Sequence, residues 1–343
     1  MKVLLVTPKE EMPKGGIAAW TAHYLKTVSE FDIDCKIINT QKVGERNIKD
    51  EYIRTKGIFK QLKNALKEDV YDVAHLNTNI GLLGVIRDFY IAKKIKKKKL
   101  PLVVHFHCDI PYWVKNPLIK LYLKKLLKIS DCNLVLCENS RKYLKGTFNQ
   151  DSHKIPNFLK STLIVNEKQI NSKIKRALFI GRISIEKGAK EIFELSQEFP
   201  NIQFALAGEL IGEVKDWEIP TNIQLLGILP RIEIMNQFDK SDIFIFPTHT
   251  EGFSIALAEC MARGVPSITT NVGANLDMLG NKGGIICEVG DVEGMKKAVE
   301  KLQDVNIRKE ISDWCIEKVK KEYTAQHVMS KIYSRYMELI KNK

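Results

Sequence analysis

Two glutamates mark the segment in which this sequence is most informative about chemistry. Glu251 and Glu259 are separated by seven residues in the run Pro247–Pro266, which passes from an apolar stretch through a loop into a helical pattern. Glu259 has apolar neighbours, and a carboxylate buried among them is destabilising unless it is paired or liganded. We predict that Glu251 contacts the reacting end of a ligand and that Glu259 contacts a hydroxyl group farther along the same ligand. Two surface carboxylates on a helix are the alternative, which fits these surroundings poorly.

The loop between these glutamates predicts an anion site at the start of a helix. The helical pattern begins near Ser254, so the backbone N–H groups of Phe253, Ser254 and Ile255 have no partners within the helix. Such free N–H groups favour the binding of phosphate. We therefore expect phosphate groups to lie between Glu251 and Glu259.

Two cations follow the apolar run that ends at Ile180. Arg182 comes directly after Gly181, and Lys187 comes five residues later, immediately before Gly188 and the next helical pattern. A guanidinium fork, a lysine point charge and a helix start together suit a diphosphate. Two solvated cations on a basic protein are the alternative, which the flanking glycines and the preceding strand make weaker.

The first half of the chain carries two less specific signals. Gly15 and Gly16 precede a helical pattern, where adjacent glycines let a ligand approach the backbone and the helix start offers N–H groups to an anion. His105 and His107 alternate along a predicted strand and therefore share a face, with His107 nearer the carboxyl end. An ordinary turn and a structural histidine are the alternatives, and partners elsewhere in the chain must decide between them.

Short apolar runs alternate with amphipathic stretches along the chain, which predicts parallel sheets covered by helices on both faces. The strands predicted in the first half are Val3–Thr7, Cys35–Thr40, Tyr71–Asn77, Leu102–His107 and Asn133–Cys137. The helices between them include Ala18–Ser29, Ile58–Lys67, Leu82–Lys97 and Pro117–Ile129. The strands predicted in the second half are Ala177–Ile180, Gln203–Ala207, Ile223–Leu226, Ile243–Pro247, Ser267–Thr269 and Gly284–Cys287. The helices there are Ala189–Glu198, Glu233–Phe238, Ala256–Arg263 and Val292–Leu302.

The alternation stops over residues 149–173, a polar stretch that contains Pro156, and then restarts. We predict two doubly wound α/β domains, residues 1–160 and 161–325, with a linker near residues 155–172. Residues 307–343 form a long charged helical pattern, whose end from about residue 326 is expected to pack back on the N-terminal domain. In open parallel sheets ligands bind beyond the carboxyl ends of the strands, which is where the candidate residues lie.

Length and composition limit the class of protein. The 343 residues are enough for two domains that each bury a core, and 44% apolar with 28% charged residues excludes a disordered or collagen-like chain. A net charge of +13 favours an anionic partner, whether nucleotide phosphate, nucleic acid or an acidic membrane surface. Seven scattered cysteines without a C-x-x-C pair indicate reduced thiols. No apolar run is long enough for a signal peptide or a membrane span, so we expect a soluble, cytoplasmic protein.

Taken together, these signals resemble the retaining family 4 glycosyltransferases (glycosyl transferases group 1) of the GT-B fold. The residues that carry the resemblance, in the family's order, are Gly15, Gly16, His107, Gly181, Arg182, Lys187, Gly188, Glu251 and Glu259. The resemblance covers essentially the whole chain. It implies two Rossmann-like domains facing across a cleft, with a nucleotide-diphosphate sugar, most often a UDP-sugar, held mainly by the C-terminal domain.

The resemblance also implies a role for each matched position. Arg182 and Lys187 are expected to neutralise the diphosphate as it leaves, while Glu259 binds the ribose hydroxyls. Glu251 is expected to bind the sugar ring, and His107 to lie beside its anomeric side. The backbone positions expected to contact the donor are Gly15, Gly16, Gly181, Gly208, Gly227, Ile228, Gly252, Phe253, Ser254 and Ile255.

The expected catalysis follows from charge. Breaking the anomeric C–O bond leaves a diphosphate of increasing negative charge, which Arg182, Lys187 and a helix start can stabilise. We expect no metal cofactor, because the two side-chain cations take its place. Asp32 and Asp34 match the Asp-x-Asp metal motif of the other glycosyltransferase architecture, but they precede a strand and are interpreted as a surface turn. Same-face attack and a covalent intermediate both stay open.

Eleven lysines and a single acidic residue, Asp109, lie within residues 93–128. The stretch Pro111–Ile129 adds apolar side chains, a pattern typical of a basic amphipathic helix on an anionic membrane. The residues expected on this membrane or acceptor side are Trp113, Lys120, Lys124, Lys125 and Lys128. A core-packed helix with solvated lysines is the alternative. Nucleic acid is disfavoured because no nucleic-acid motif accompanies the charge.

The expected activity is transfer of a sugar from a nucleotide donor to a lipid-linked or membrane-proximal glycan held by the N-terminal domain. Bacterial surface polysaccharide assembly at the inner face of the cell membrane is the expected setting. A nucleotide-sugar epimerase of the same fold is one alternative, which would convert the donor without an acceptor. A non-catalytic basic protein that binds membranes or nucleic acid is another, and it would lack saturable nucleotide affinity.

Overall fold

The computed structural model describes residues 1–9, 16–41 and 48–341. The chain forms two compact units, one of Met1–Phe158 with Ala325–Lys343 and the other of Leu159–Thr324. Each unit contains a parallel sheet of six strands. The prediction of two doubly wound α/β domains is therefore confirmed.

The elements of the first unit alternate between strand and helix. Its strands are β1 (Lys2–Thr7), β2 (Asp34–Asn39), β3 (Val73–Thr78), β4 (Leu102–Phe106), β5 (Cys132–Val135) and β6 (His153–Lys154). The helices between them are α1 (Gly16–Thr27), α2 (Ile48–Glu68), α3 (Leu82–Lys96), α4 (Ile110–Trp113), α5 (Pro117–Ile129) and α6 (Glu138–Phe148).

The second unit repeats this alternation. Its strands are β7 (Arg176–Ile180), β8 (Gln203–Ala207), β9 (Ile223–Gly227), β10 (Ile243–Phe246), β11 (Ser267–Thr270) and β12 (Ile285–Cys287). Its helices are α7 (Ala189–Glu198), α8 (Arg231–Lys240), α9 (Ile255–Ala262), α10 (Asn275–Leu279), α11 (Val292–Lys301) and α12 (Val305–Glu322), after which α13 (Ala325–Lys341) returns to the first unit.

The order of the strands places one crevice in each sheet. The first sheet has the order β2-β1-β3-β4-β5-β6, and the second has the order β12-β11-β10-β7-β8-β9. The direction of winding reverses between β1 and β3 in the first sheet and between β7 and β10 in the second. Connections leave such a pair of strands toward opposite sides, which opens a ligand crevice at their carboxyl ends.

Strands buried on both faces explain the continuous apolar runs in the sequence. In β1, Val3 and Leu5 pack with α1 and α13, whereas Leu4 and Val6 pack with α2, α3 and α5. Tyr336 of α13 is fully buried in the first of these clusters. The expectation that the C-terminal helix packs back on the N-terminal domain is therefore confirmed.

The structure corrects several predicted elements. The described part of the predicted C-terminal helix is two helices, α12 and α13, because the helical backbone is interrupted at Tyr323–Thr324, where the Tyr323 carbonyl accepts a hydrogen bond from the Leu159 N–H. The helix α6 and the two-residue strand β6 were not predicted, since α6 is a weakly apolar run and β6 lies in the polar stretch. Trp113 is on α4, apart from α5, whose first turn is capped by the Asn116 side chain. No helix within the described ranges is both long and apolar enough to cross a bilayer.

We expect Tyr336→Phe to lower the free energy of unfolding by about 1–3 kcal/mol, the usual cost of leaving buried polar groups without partners. The Tyr336 hydroxyl lies 3.1 Å from the Tyr24 hydroxyl and also meets Nδ1 of His75. Urea denaturation followed by tryptophan fluorescence measures the change. Tyr333→Phe on the same helix is the control and should change the free energy by less than about 0.5 kcal/mol. An equal loss in both variants would contradict the role of the buried hydroxyl.

Candidate functional site

Two loops meet where the winding of the second sheet reverses. One follows β7 and ends at Gly188, and the other follows β10 and begins at Pro247. Gly188 has φ +82°, and a Cβ there would lie 2.3 Å from the Pro247 carbonyl oxygen. A side chain at this position would therefore force the two loops apart, which explains the glycine next to Lys187.

Lys187 and Glu251 form an ion pair across these two loops. Nζ of Lys187 lies 2.6 Å from Oε1 of Glu251, and it donates to the Thr250 carbonyl at 3.0 Å and to Oγ1 of Thr248 at 3.3 Å. Both charged side chains are mostly buried, at 15% and 17% exposure. The structure thus brings together two of the residues that the sequence predicted, at the predicted end of the sheet.

A second cation and a second carboxylate also act on this ion pair. Burial raises the pKa of Glu251, whereas the charges of Lys187 and Arg182 oppose that rise and the Glu186 carboxylate adds to it. Arg182 is exposed and has no hydrogen bond or ion pair within the described part of the chain. An anion that reaches Glu251 therefore meets one cation already fixed in place and a second one free to turn toward it.

The start of α9 lies immediately after Glu251. Ser254 caps the helix by accepting a hydrogen bond from the Leu257 N–H at 3.1 Å, and the buried ring of Phe253 packs edge-on against Tyr323. Gly273, with φ +53°, lies directly against this loop. A Cβ there would lie 2.2 Å from the Glu251 carbonyl oxygen, so the close approach requires glycine. Gly273 was not predicted as a site residue, although its position just after β11 indicates the ligand-binding edge of the sheet.

Glu259, the other glutamate predicted from the sequence, is buried, and its partner was not predicted. Oε1 of Glu259 lies 2.5 Å from a guanidinium nitrogen of Arg231, at the start of α8. Burial raises the pKa of Glu259, and the charge of Arg231 opposes that rise. The apolar surroundings of Glu259 correctly indicated a need for a partner. The distance of 28 residues along the chain hid which residue supplies it.

The glycines predicted to flank a nucleoside lie where β7, β8 and β9 end. A Cβ on Gly208 would lie 1.8 Å from the Gly181 carbonyl oxygen, and the Gly208 N–H donates to the Gly227 carbonyl at 2.8 Å. Ile228, the next residue, is 78% exposed. The three strand ends therefore contact one another through backbone atoms, and no side chain of these glycines covers them.

His249 attaches the loop that carries Glu251 to helix α7. Its Nε2 lies 2.7 Å from Oε1 of the buried Glu191, and its backbone N–H donates to the Glu186 carbonyl at 2.9 Å. Sequence analysis did not identify this pair. Together with the Gly188 contact it fixes the loop between Pro247 and Glu251.

In the first unit, His107 belongs to a chain of hydrogen bonds across the ends of β1, β3 and β4. Its Nε2 lies 2.9 Å from Oδ1 of Asn77, whose amide nitrogen donates to Oγ1 of Thr7 at 2.9 Å. Thr7 in turn lies 2.6 Å from the Thr21 hydroxyl on α1. The amide oxygen can only accept, so the ring proton is on Nε2 and Nδ1 carries the lone pair.

His107 is also one of three histidines packed around Trp20. Its ring centroid lies 4.1 Å from that of His105, and His105 lies 5.5 Å from His75. Burial lowers the pKa of His107 and of His75 to about 3, and that of His105 well below its ordinary value. These imidazoles are therefore neutral near pH 7, which excludes His107 as a proton donor there.

The remaining predicted residues are placed as follows. Gly15 lies outside the described residues, and Gly16 is the exposed first residue of α1. Asp32 and Asp34 lie at an exposed turn and at the start of β2. Within the described ranges no three His, Cys, Asp or Glu side chains are grouped to hold a metal ion.

Helix α5 has a core-facing apolar side and an exposed lysine side. Ile119, Leu123, Leu126 and Leu127 of α5 are buried in the core. The four predicted lysines, Lys120, Lys124, Lys125 and Lys128, are exposed on the same helix. Trp113, Leu118 and Leu121 are also 42–50% exposed, which a purely core-packed helix does not explain.

The profile of the family described as glycosyl transferases group 1 matches residues 160–321. Among curated proteins, the chain is 29% identical to the capsular polysaccharide biosynthesis glycosyltransferase CapM of Staphylococcus aureus, over 48% of this chain and 46% of that protein. It is 26% identical to an Escherichia coli enzyme named UDP-Gal:alpha-D-GlcNAc-diphosphoundecaprenol alpha-1,3-galactosyltransferase, over 82% of this chain and 79% of that protein. The match therefore spans about half of the first relative and four fifths of the second.

Solved structures share the fold over the whole chain. Sucrose-phosphate synthase from Thermosynechococcus elongatus superimposes with a TM-score of 0.82 at 13% identity, covering 100% of both chains. The Anabaena protein HepE, solved in complex with UDP, superimposes with a TM-score of 0.76 at 13% identity, covering 98% of this chain and 100% of that one. The architecture is the GT-B fold that the sequence predicted.

We expect Arg231→Ala to destabilise the protein more at high pH than at low pH. The pKa of Glu259 is already raised by burial, and removing the opposing cation raises it further. A carboxyl group whose pKa is higher in the folded than in the unfolded state costs stability once the pH exceeds its unfolded value of about 4.3. The free energy of unfolding should therefore fall by about 1–2 kcal/mol near pH 7.5, since Arg231 is partly exposed, and by less near pH 4.5.

Urea denaturation of wild type and variant at the two pH values measures this difference. Arg231→Lys retains the charge and serves as the control, with a smaller dependence on pH. A loss of stability that is the same at both pH values would show that the ion pair does not hold Glu259 in its charged form.

Proposed function

We propose that this chain is a glycosyltransferase of the GT-B fold, and that it transfers a sugar from a nucleotide-diphosphate sugar to a glycan with retention of the anomeric configuration. The observation that carries this proposal is Lys187, which is fixed beside Glu251 where the second sheet reverses, with the exposed Arg182 on the preceding loop. Two cations and an acidic hydrogen-bond acceptor at one crevice suit a phosphorylated, hydroxylated ligand.

The role of the cations follows from the bond that breaks. The anomeric C–O bond gives its electron pair to the diphosphate, while the acceptor hydroxyl forms the new bond to carbon and passes its proton to an oxygen of the departing diphosphate. Lys187 and Arg182 stabilise the charge that develops on the diphosphate, helped by the N–H groups at the start of α9. In this proposal no metal ion is needed, because side-chain cations supply the charge.

The carboxylates and His107 bind the two ends of the donor. Glu251, kept ionised by Lys187, accepts hydrogen bonds from sugar hydroxyls, and Glu259 accepts them from the ribose. His107 has a low pKa because it is buried, so it orients the sugar as a neutral imidazole and does not act as an acid. The nucleoside is proposed to lie over Gly208 and Gly227-Ile228.

Donor and acceptor classes are proposed from the relatives and from the basic surface. UDP is favoured because the name of the Escherichia coli relative specifies UDP-Gal and the Anabaena structure holds UDP. A lipid-linked glycan is favoured because that same name specifies a diphosphoundecaprenol acceptor and because α5 presents lysines beside the exposed Trp113. We place the protein in bacterial polysaccharide or glycoconjugate synthesis, on the inner face of the membrane.

We expect Lys187→Ala to lower kcat/KM for sugar transfer at least ~100-fold, because it removes the fixed cation that stabilises the leaving group. Lys190→Ala is the matched control, since Lys190 is an exposed residue of α7 whose only ion pair within the described chain is a surface contact of 3.8 Å to Glu194. Release of the nucleoside diphosphate measures both rates.

Addition of EDTA should leave the wild-type rate unchanged, and proton NMR of the product should show the donor's anomeric configuration. Unchanged turnover in both Lys187→Ala and Glu259→Ala would contradict the proposal.

We expect UDP to raise the melting temperature more than GDP or ADP does, because a ligand that binds only the folded state stabilises it by about 2.7 kcal/mol at a hundred times its Kd. Differential scanning fluorimetry with each nucleotide measures the shift, and Lys187→Ala should reduce it. The matching UDP-sugars should then be incubated without acceptor. A sugar that changes its stereochemistry while still attached to UDP would identify an epimerase instead.

A further inference from the structure

A groove of about 420 Å³ lies between helices α2 and α3 of the first unit, and none of the residues proposed for donor binding lines it. Its lining consists of Tyr52, Thr55, Lys56, Phe59, Tyr90 and Lys94. The volume is within the range of about 300–1,000 Å³ that is usual for small-molecule sites. No pattern in the sequence predicted this groove, because its two walls are 30 or more residues apart along the chain.

The walls of the groove are aromatic and its rim is cationic. Tyr52 and Tyr90 are 66% and 45% exposed, which is unusual for large rings on a surface helix. Nζ of Lys94 lies 4.7 Å from the centroid of the Phe59 ring, a cation–π contact that places its charge beside one aromatic wall.

The charge at this rim is not neutralised by the protein. Neither Lys56 nor Lys94 has an ion pair within the described ranges. The nearby carboxylates are already engaged, since Glu51 pairs with Arg54 at 2.6 Å and Asp88 pairs with Arg87 at 2.8 Å. An apolar groove with two unneutralised lysines is complementary to a ligand that has a hydrocarbon part and an anionic end.

A row of aromatic rings connects this groove to the lysine-rich helix α5. Tyr90 lies 5.2 Å from Phe89 and 6.4 Å from Tyr122, measured between ring centroids. Nζ of Lys125 lies 4.9 Å from the Tyr122 ring centroid. The groove is therefore continuous with the surface that we propose to face the membrane.

We propose that this groove binds the hydrocarbon chain of a phosphate-bearing membrane lipid, with the chain against Tyr52, Phe59 and Tyr90 and the phosphate between Lys56 and Lys94. The proposal rests on the membrane association proposed above and adds a defined lipid site to it. A lipid fits better than an apolar protein segment. The lysines on the two walls attract a phosphate, whereas an apolar helix would leave both lysines without an anionic partner.

Binding of decyl phosphate to the full chain, below the concentration at which it aggregates, tests this site. Decanol tests the hydrocarbon part of the ligand without its charge, and inorganic phosphate tests the charge without the hydrocarbon. Isothermal titration calorimetry should give tighter binding of decyl phosphate than of either. Lys94→Glu should weaken decyl phosphate about tenfold or more and leave decanol unchanged, while Tyr90→Ala should weaken both alkyl probes.

Lys26→Glu, a charge reversal on the exposed side of α1, is the matched control and should bind decyl phosphate like wild type. If Lys94→Glu and Lys26→Glu weaken the binding of decyl phosphate equally, the net charge of the protein alone causes the effect and the proposal is overturned. Absence of decyl phosphate binding to wild type would also overturn it and leave the groove to a protein partner. Release of nucleoside diphosphate from the donor, measured on the same preparations, reports separately on the proposed transferase activity.

Discussion

Two largely buried carboxylates beside the crevice of the second unit are each paired with a cation, and the walls of the candidate site are built around these two ion pairs. Glu251 has Lys187 at 2.6 Å, and Glu259 has Arg231 at 2.5 Å. Burial raises the pKa of both carboxyl groups, and the cation lowers it in each case. Each pair joins two loops or helices that are distant in the chain, so the same contacts that oppose the effect of burial on the carboxylates also hold the walls of the site together.

Close backbone contact makes these pairs possible. Gly188 touches the carbonyl of Pro247, Gly208 that of Gly181, and Gly273 that of Glu251. All these glycines have positive φ and leave no room for a Cβ. The loops after β7 and β10 can therefore approach closely enough for Lys187 to reach Glu251, and the reversal of strand order between β7 and β10 leaves the crevice open above them.

The first unit has the same sheet architecture but a different distribution of charge. Its strand ends carry neutral, buried histidines joined by hydrogen bonds through Asn77 and Thr7, whereas its positive charge lies outside, on α3 and α5. A neutral interior suits the binding of an uncharged sugar or glycan, and a basic exterior suits an anionic surface. In the proposed enzyme the diphosphate is thus neutralised by one unit and the membrane is contacted by the other.

The sequence by itself determined the fold class and most strand positions, and it singled out Arg182, Lys187, Glu251 and Glu259 as candidate site residues. Those features are local, because apolar periodicity shows in short windows and strand ends follow directly from strands. Only the tertiary structure decided which charges pair. Arg231 with Glu259, His249 with Glu191 and the rings of the α2–α3 groove come together through sheet order and helix packing, which no spacing along the chain encodes. The break between α12 and α13 was likewise hidden, because two amphipathic helices in succession have the same periodicity as one.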